Sequence, residues 1–288
     1  MDLAGIIAVQ IGYTVASLAL ISAGLAVIFG MMRVINLAHG EFLMLGAYAV
    51  VVSTKAGINF WVSMLVIAPL FVGIVGVIVE RFIVRFLYGR MMDTLIATWG
   101  LSLLFIGVIT TIFGNATESV VSPLGSFEIG EFVESQYRLF IIFLGVLVIA
   151  VIFVVLRYSR AGLIARGTMQ NADMAAALGI SPQHVYTITF GVGAALTGLA
   201  GAALAPVTGL LPTMGAAFIA KAFITVIGGG EAIVTGTSSA SAFFGTVNQV
   251  TTFLWTPVMG DVALLIAAVI LLRLLPQGIT GRFFRRWL

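Results

Sequence analysis

The sequence predicts an all-α, polytopic membrane protein with eight or nine transmembrane helices and two short broken segments. Its 288 residues are 61% hydrophobic and 9% charged, with a mean hydropathy of +1.18, whereas a soluble domain carries about 25% charged residues. Long uncharged runs recur, and a run of about 18 or more apolar residues predicts a membrane-spanning helix. These runs cover residues 3–32, 56–79, 94–117, 139–156, 174–220 and 232–260.

The composition also excludes several classes of protein and site. The spans must be helical, because lipid offers no partner to an unpaired backbone amide. The chain has no cysteine, which excludes disulfides and thiolate metal sites, and we expect no metal or cofactor. The net charge of +3 comes from basic residues at span ends, so we expect contact with membrane lipid and none with nucleic acid. No basic region precedes the first apolar run, which favours a retained span over a cleaved signal peptide.

The order of the elements follows from the apolar runs and the charges between them. Predicted spans and short pieces lie at residues 3–32, 42–54, 61–79, 94–113, 139–156, 185–205, 216–230, 232–253 and 258–275. Arginines in the loops and in the tail, including Arg285 and Arg286, place those segments in the cytoplasm, and the acidic loop 115–138, which includes Glu131, lies outside. The N-terminus lies outside if residues 42–54 cross fully and inside if they are re-entrant; both alternatives stay open.

We predict one transmembrane domain over residues 1–288. Its parts are a first helical half at 1–113, an extracytoplasmic loop at 114–138, a connecting span at 139–156, a cytoplasmic loop at 157–184 and a second helical half at 185–288. Each half reads as a long span, a polar break, a short apolar piece and two more spans. This order is typical of inverted repeats, whose short interrupted helices mark a substrate pathway. The alternative is that nine apolar segments fall into two similar sets by chance.

The first polar break lies in the stretch RVINLAHGEFLMLGAY, residues 33–48. It places Asn36, His39 and Glu41 between two apolar segments, where polar side chains are costly unless they find partners or water. These residues either line a pathway or hold the broken helix together, and for His39 and Glu41 we favour the structural role. The other histidine, His184, lies in the cytoplasmic loop, so no proton relay is indicated.

The second motif is the cytoplasmic stretch RAGLIARGTMQNADMAAALGISPQHV, residues 160–185. Good helix formers predict a helix over residues 169–178, which Gly179 and Pro182 end. A short amphipathic helix of this kind can dock in a groove of a soluble partner. The alternative is a plain surface loop, and we favour docking.

Two charged residues fall near the second short piece. Lys221 interrupts residues 216–230, and we favour a side chain that extends to the outer membrane interface over one that pairs with an acidic group of a partner subunit. Glu231 is expected to mark the inner membrane boundary.

Four segments carry a resemblance to a known family. INLAHGEFLMLGAY, TLIATWGLSLLF at 94–105, GLIARGTMQNADMAAALGIS at 162–181 and FITVIGGG at 223–230 resemble the permease subunits of ABC importers for branched-chain amino acids and for urea or short amides. The resemblance covers nearly the whole chain. It implies a multi-pass protein of the bacterial inner (plasma) membrane.

The cytoplasmic stretch also resembles the EAAxxxG coupling element of ABC importer permeases. Asp173, Met174 and Ala175, followed by Gly179, keep its spacing, with Asp in place of Glu and Met in place of the first Ala. The resemblance implies an ATPase-coupling loop. Its residues are Arg166, Gln170, Asn171, Asp173, Met174, Ala175 and Gly179.

The substrate prediction rests on ATWGLSLL and TMQN, which are more similar to the urea and amide permeases. Thr98 and Trp99 offer a small polar patch with an aromatic wall that suits a small neutral amide, while Ser102 fits helix packing better. Urea or a short-chain amide is therefore the predicted substrate. The alternative is a branched-chain or other amino acid. The predicted substrate pathway comprises Asn36, His39, Glu41, Thr98 and Trp99.

The chain is predicted to be a transport subunit and not an enzyme. It has no phosphate-binding GxxxxGK[ST] motif. The resemblance implies two ABC ATPase subunits, a second related permease in a heterodimer and an extracytoplasmic substrate-binding protein. Two further alternatives are a passive channel and an ion-coupled secondary transporter.

Overall fold

The computed structural model describes residues 2–129, 132–230 and 232–283, and most of these residues are helical. The predictions for Glu131, Glu231, Arg285 and Arg286 concern residues outside those ranges. The helices are α1 (Asp2–Met32), α2 (His39–Lys55), α3 (Phe60–Val62), α4 (Ala68–Phe82), α5 (Met91–Phe113), α6 (Gln136–Tyr158), α7 (Arg160–Gln170), α8 (Ala172–Ala177), α9 (Pro182–Leu204), α10 (Gly215–Gly229), α11 (Ile233–Leu254), α12 (Pro257–Leu274) and α13 (Gly278–Phe283).

The polytopic helical fold is confirmed, although the predicted number of spans is slightly high. Within the described residues, 6 helices are long and apolar enough to cross a membrane, or up to 7 if α10 and α11, bent by 117°, form one broken span. The difference comes from α2, which is not counted, and from α10 and α11, which count as one span together and not separately. α2 has 17 residues and α10 has 15, which at 1.5 Å per residue is less than the roughly 30 Å hydrocarbon core.

One span contains a π-helical turn. Residues Ser63–Ile67 connect α3 to α4 and make the continuous helix Phe60–Phe82. Pro69 is the second residue after this turn. A proline removes one helical hydrogen bond and crowds the carbonyl group four residues earlier. A wider turn before it accommodates the ring.

The acidic loop contains a β-hairpin that the all-α prediction did not include. Strand β1 (Ser126–Ile129) pairs antiparallel with β2 (Phe132–Ser135), with Phe127 opposite Glu134. α6 begins directly after it, at Gln136. The hairpin is short, and its alternating pattern is too brief to identify in a polar loop.

The first of two compact units comprises residues 23–121 and 151–220. α2 packs against α9 and α4, and α4 in turn packs along α9. Small residues make these close approaches possible. A Cβ atom on Gly46 would lie 2.2 Å from the carbonyl oxygen of Gly198, and one on Gly76 would lie 2.4 Å from Ala194 Cβ. This packing places most of α2 in the core of the unit.

Within the described residues, the second unit comprises 2–22, 122–129, 132–150, 221–230 and 232–283. α11 packs along α12, and Gly245 of α11 approaches Val15 of α1 so closely that a Cβ atom would lie 2.8 Å from Val15 Cα. Lys221 Nζ forms a salt bridge with Asp261 of the same chain at 2.7 Å. Neither of the two predictions for Lys221 included this partner, since a sequence does not show which helix faces a lysine.

Candidate functional site

The break between α1 and α2 is organised by Asn36. Arg33 ends α1 with a φ of 51°, which residues other than glycine rarely adopt. The fully buried Asn36 accepts a hydrogen bond from Ala38 N–H at 3.0 Å through Oδ1, and its carbonyl oxygen accepts one from His39 N–H at 3.2 Å. These bonds form the turn from which α2 starts. Asn36 Nδ2 has no hydrogen-bond partner, so a buried donor remains at the break.

Thr98 ties α5 to this break. Its Oγ1 accepts a hydrogen bond from Leu37 N–H at 3.1 Å, and its hydroxyl donates to the Thr94 carbonyl at 2.8 Å. A broken helix leaves backbone groups that lipid cannot satisfy, and a hydroxyl on a neighbouring helix supplies the missing partner. Trp99 lies on a different face of α5 and is 56% exposed. The structure therefore brings Thr98 to the break and leaves Trp99 away from it.

His39 and Glu41 lie in the first turn of α2, and both are buried. His39 Nδ1 lies 3.4 Å from Thr197 Oγ1 of α9. The Glu41 carboxyl group lies near the Ser102 side chain of α5, and its Oε2 has no hydrogen-bond partner. A negative side chain is favoured in the first turn, because the N-terminal end of a helix carries partial positive charge. The break therefore holds a buried donor on Asn36 and a buried acceptor on Glu41.

The N-terminal ends of α2 and α10 touch through two glycines. A Cβ atom on Gly40 would lie 2.3 Å from the Gly215 carbonyl oxygen, and one on Gly215 would lie 2.5 Å from the Gly40 carbonyl carbon. No side chain fits at either position. The two short helices, predicted to occupy matching positions in the two halves, thus meet at their positive ends. The inverted repeat itself stays a prediction.

The far end of α2 is also fixed. Lys55 Nζ forms a salt bridge with Glu118 at 2.7 Å. The backbone of Glu118 pairs with that of Leu210 through two hydrogen bonds of 3.0 Å. The loop after α5 and the loop between α9 and α10 are therefore tied to the end of α2, so both ends of this helix are held.

The second motif, residues 160–185, forms two helices, α7 and α8, before α9 begins, where one helix over residues 169–178 was predicted. The break falls at Asn171, whose φ is −156° and whose Oδ1 accepts a hydrogen bond from Met174 N–H at 2.9 Å. An asparagine that caps the N-terminus in this way starts a new helix. The predicted stop is confirmed: Gly179 follows α8 with a φ of 84°, and Pro182 begins α9.

α8 presents an apolar surface to its surroundings. Met174 is 59% exposed and Leu178 is 76% exposed; residues four apart lie on the same side of a helix. Ala175 is buried, and α8 packs against α9. The remaining residues of the predicted loop set lie around this surface, with Gln170, Asn171 and Asp173 exposed and Arg166 half-buried.

Sequence reasoning did not assign three residues to the break, namely Thr197, Gly215 and Ser102, which it had ascribed to helix packing. One signal was present, because a glycine lies within the first two residues of each short helix, in HGE at residues 39–41 and in MGA at 214–216. The facing hydroxyls carried no such signal. Within the described residues, no group of three His, Cys, Asp or Glu side chains is arranged to hold a metal ion.

Helices long and apolar enough to span a membrane, with a buried polar break after one of them, are typical of membrane transport proteins. Residues 7–275 match the family described as the branched-chain amino acid transport system permease component, and the chain belongs to this family. It is therefore a multi-pass inner membrane protein and a transport subunit, and ATP hydrolysis belongs to separate subunits.

Curated relatives match over almost the whole chain. The high-affinity branched-chain amino acid permease protein LivH of Salmonella typhimurium is 26% identical over 283 residues, which cover 92% of this chain and 91% of LivH. BraD of Pseudomonas aeruginosa, a permease of the same description, is 28% identical over 293 residues, covering 94% of each chain. A probable LivH of Methanocaldococcus jannaschii is 25% identical, covering 92% of this chain and 88% of that protein. No solved structure shows a significant match.

Proposed function

We propose that this chain is the transmembrane permease subunit of an ATP-driven importer for branched-chain amino acids. The observation that carries the proposal is the match to relatives named for this substrate class over 92–94% of the chain. It favours the amino acid alternative over the urea or amide prediction.

The chemistry of the break supports the same substrate class. An amino acid is a zwitterion, so its pathway needs groups for both a carboxylate and an ammonium. The N-terminal ends of α2 and α10 and the unpartnered Asn36 Nδ2 suit a carboxylate. The unpartnered Oε2 of Glu41 suits an ammonium. A neutral amide requires neither charge.

Transport is proposed to proceed by alternating access. The contact between Gly40 and Gly215 closes the break, and passage of substrate requires the two helix ends to separate. Two ABC ATPase subunits supply the energy and dock against α8, where Met174 and Leu178 are exposed. A second related permease completes the membrane unit as a heterodimer, and an extracytoplasmic binding protein delivers the substrate.

The experiment is uptake of radiolabelled leucine, with urea and acetamide as competitors, by the complete importer in proteoliposomes. We expect ATP-dependent leucine uptake that neither amide inhibits. In Glu41→Gln, we expect the KM for leucine to rise about 10- to 150-fold, because a charge-assisted hydrogen bond contributes about 1.5–3 kcal/mol. The matched control is Glu128→Gln, an exposed hairpin residue, which should leave KM unchanged.

A second candidate substrate is urea or a short amide, which the ATWGLSLL and TMQN segments favour. The same assay separates the two. Urea uptake without leucine uptake would establish the amide permease and contradict the amino acid proposal.

A further inference from the structure

A buried carboxyl group lies at the end of α4, outside the polar break. Glu80 is fully buried, and its carboxyl oxygen accepts a hydrogen bond from the Tyr88 hydroxyl. Its other oxygen, Oε2, has no partner. Burial is the main cause that raises the pKa of Tyr88, and the hydrogen bond to Glu80 is the second. The phenol therefore keeps its proton and remains the donor at physiological pH. A buried acid held by one hydrogen bond is costly to retain and calls for an explanation.

The connection between α4 and α5, which carries Tyr88, contacts the N-terminal end of α9 (the base of α9) at two points. The Tyr88 ring packs edge-on against the Tyr186 ring, with centroids 5.1 Å apart. One turn earlier on α9, Gln183 Oε1 accepts a hydrogen bond from Arg85 Nη2 at 2.6 Å. The base of α9 follows α8 directly through Gly179 and Pro182. Only a short stretch of chain therefore connects α8 to Tyr186, which contacts Tyr88.

The same segment is attached to the first turn of α5. Thr94 Oγ1 lies 3.0 Å from the Leu87 carbonyl and 2.9 Å from the Arg90 carbonyl, within reach to donate a hydrogen bond to either. Thr98 lies one turn further along α5 and holds Leu37 of the polar break. The contacts thus run without interruption from α8, through the base of α9 and Tyr88, along α5 to the break, all within the unit of residues 23–121 and 151–220.

We propose that Glu80 and Tyr88 are positioning residues that transmit the movement of α8 to α5 and so to the polar break. The proposal rests on the ATP-driven function above. The hydrogen bond sets the orientation of the Tyr88 ring, which is the point where α9 can push the α4–α5 connection. Without that bond, ATPase docking at α8 is retained, but less of its motion reaches the break.

The test measures leucine imported per ATP hydrolysed by the complete importer in proteoliposomes. Tyr88→Phe keeps the ring and removes the hydroxyl, and Glu80→Leu removes the acceptor. Each should lower the ratio about 2- to 30-fold, with assembly and ATPase activity retained. Glu80→Gln keeps an acceptor oxygen for Tyr88 and should restore coupling. The double variant Tyr88→Phe/Glu80→Leu should be no worse than either single variant, because both remove one bond.

The control is Tyr158→Phe, a tyrosine at the end of α6 that is 75% exposed and should behave as wild type. An unchanged ratio in Tyr88→Phe overturns the proposal. So does a loss of assembled complex or of thermal stability that accounts for all of the lost uptake, since the role is then only structural. If the wild-type complex itself shows no ATP-driven leucine uptake, it is the proposed function that fails.

Discussion

Gly40 and Gly215 meet backbone to backbone, and a Cβ atom on Gly40 would lie 2.3 Å from the carbonyl oxygen of Gly215. The two residues lie at the N-terminal ends of α2 and α10. Their contact brings two helix ends of partial positive charge together beside Asn36 and Glu41. It also closes the break, and in the proposed transport cycle this contact must open for substrate to pass.

Gly40→Ala is expected to destabilise the permease, because the added methyl group overlaps the backbone of α10. Overpacking of a well-packed site costs about 1–3 kcal/mol, so the thermal unfolding temperature of the purified protein in detergent should fall. Gly107→Ala is the matched control, since nothing lies within 4 Å of a Cβ atom at Gly107. Equal stability of the two variants would show that α2 and α10 are not in contact.

Thr98→Val keeps the shape of the side chain and removes the acceptor for Leu37 N–H. An unsatisfied buried donor costs about 1–3 kcal/mol, so stability and uptake should both fall, and Thr98→Ser should recover most of the loss. Thr111→Val on the same helix removes a hydroxyl that bonds the Gly107 carbonyl at an exposed position and should have little effect. A Thr98→Val protein as stable as Thr111→Val would refute the role of Thr98 in holding the break.

His39→Ala separates the structural role from direct substrate contact. His39 is fully buried beside Thr197, so its removal should lower the free energy of unfolding by about 1–3 kcal/mol and leave the KM for leucine unchanged. The exposed His184, changed to Ala, is the control. A raised KM with unaltered stability would instead assign His39 to the substrate.

Met174→Asp tests the proposed docking of the ATPase subunits at α8. The side chain is 59% exposed, so the isolated permease should lose no more than about 0.5 kcal/mol of stability. Binding of the ATPase subunits should weaken at least about tenfold, because a charge replaces an apolar contact. Val121→Asp, at a residue of the loop after α5 that is 88% exposed, should leave ATPase binding intact. Full ATPase binding by Met174→Asp would contradict docking at α8.

Much of the helical architecture was predictable because apolar runs and their polar ends are local features. The span predicted over 94–113 is α5, Met91–Phe113, and the span over 139–156 is α6, Gln136–Tyr158. The polar break and the Gly179 stop were predictable for the same reason. Asn36, His39 and Glu41 were identified from their cost in lipid, and Thr98 as part of a small polar patch on the next span. The structure brings all four to the break.

The remaining contacts depend on which face of each helix meets a neighbour, and helices that are apolar on all sides do not encode this. Trp99 and Thr98 are adjacent in sequence, yet only Thr98 faces the break. Glu80 ends an apolar run next to Arg81, where a charge at the membrane boundary is expected, and its burial follows only from the fold of the Tyr88 segment. The partner of Lys221 lies forty residues further along the chain, at Asp261.

The most direct test of the central claim is leucine uptake by proteoliposomes that contain this chain, its companion permease, the two ATPase subunits and the binding protein. We predict uptake that requires ATP hydrolysis and persists when ion gradients are collapsed. Leucine flux through the permease subunits alone would instead indicate a passive channel. Uptake that stops when the ion gradient is removed at constant ATP would indicate a secondary transporter, and either result would contradict the account.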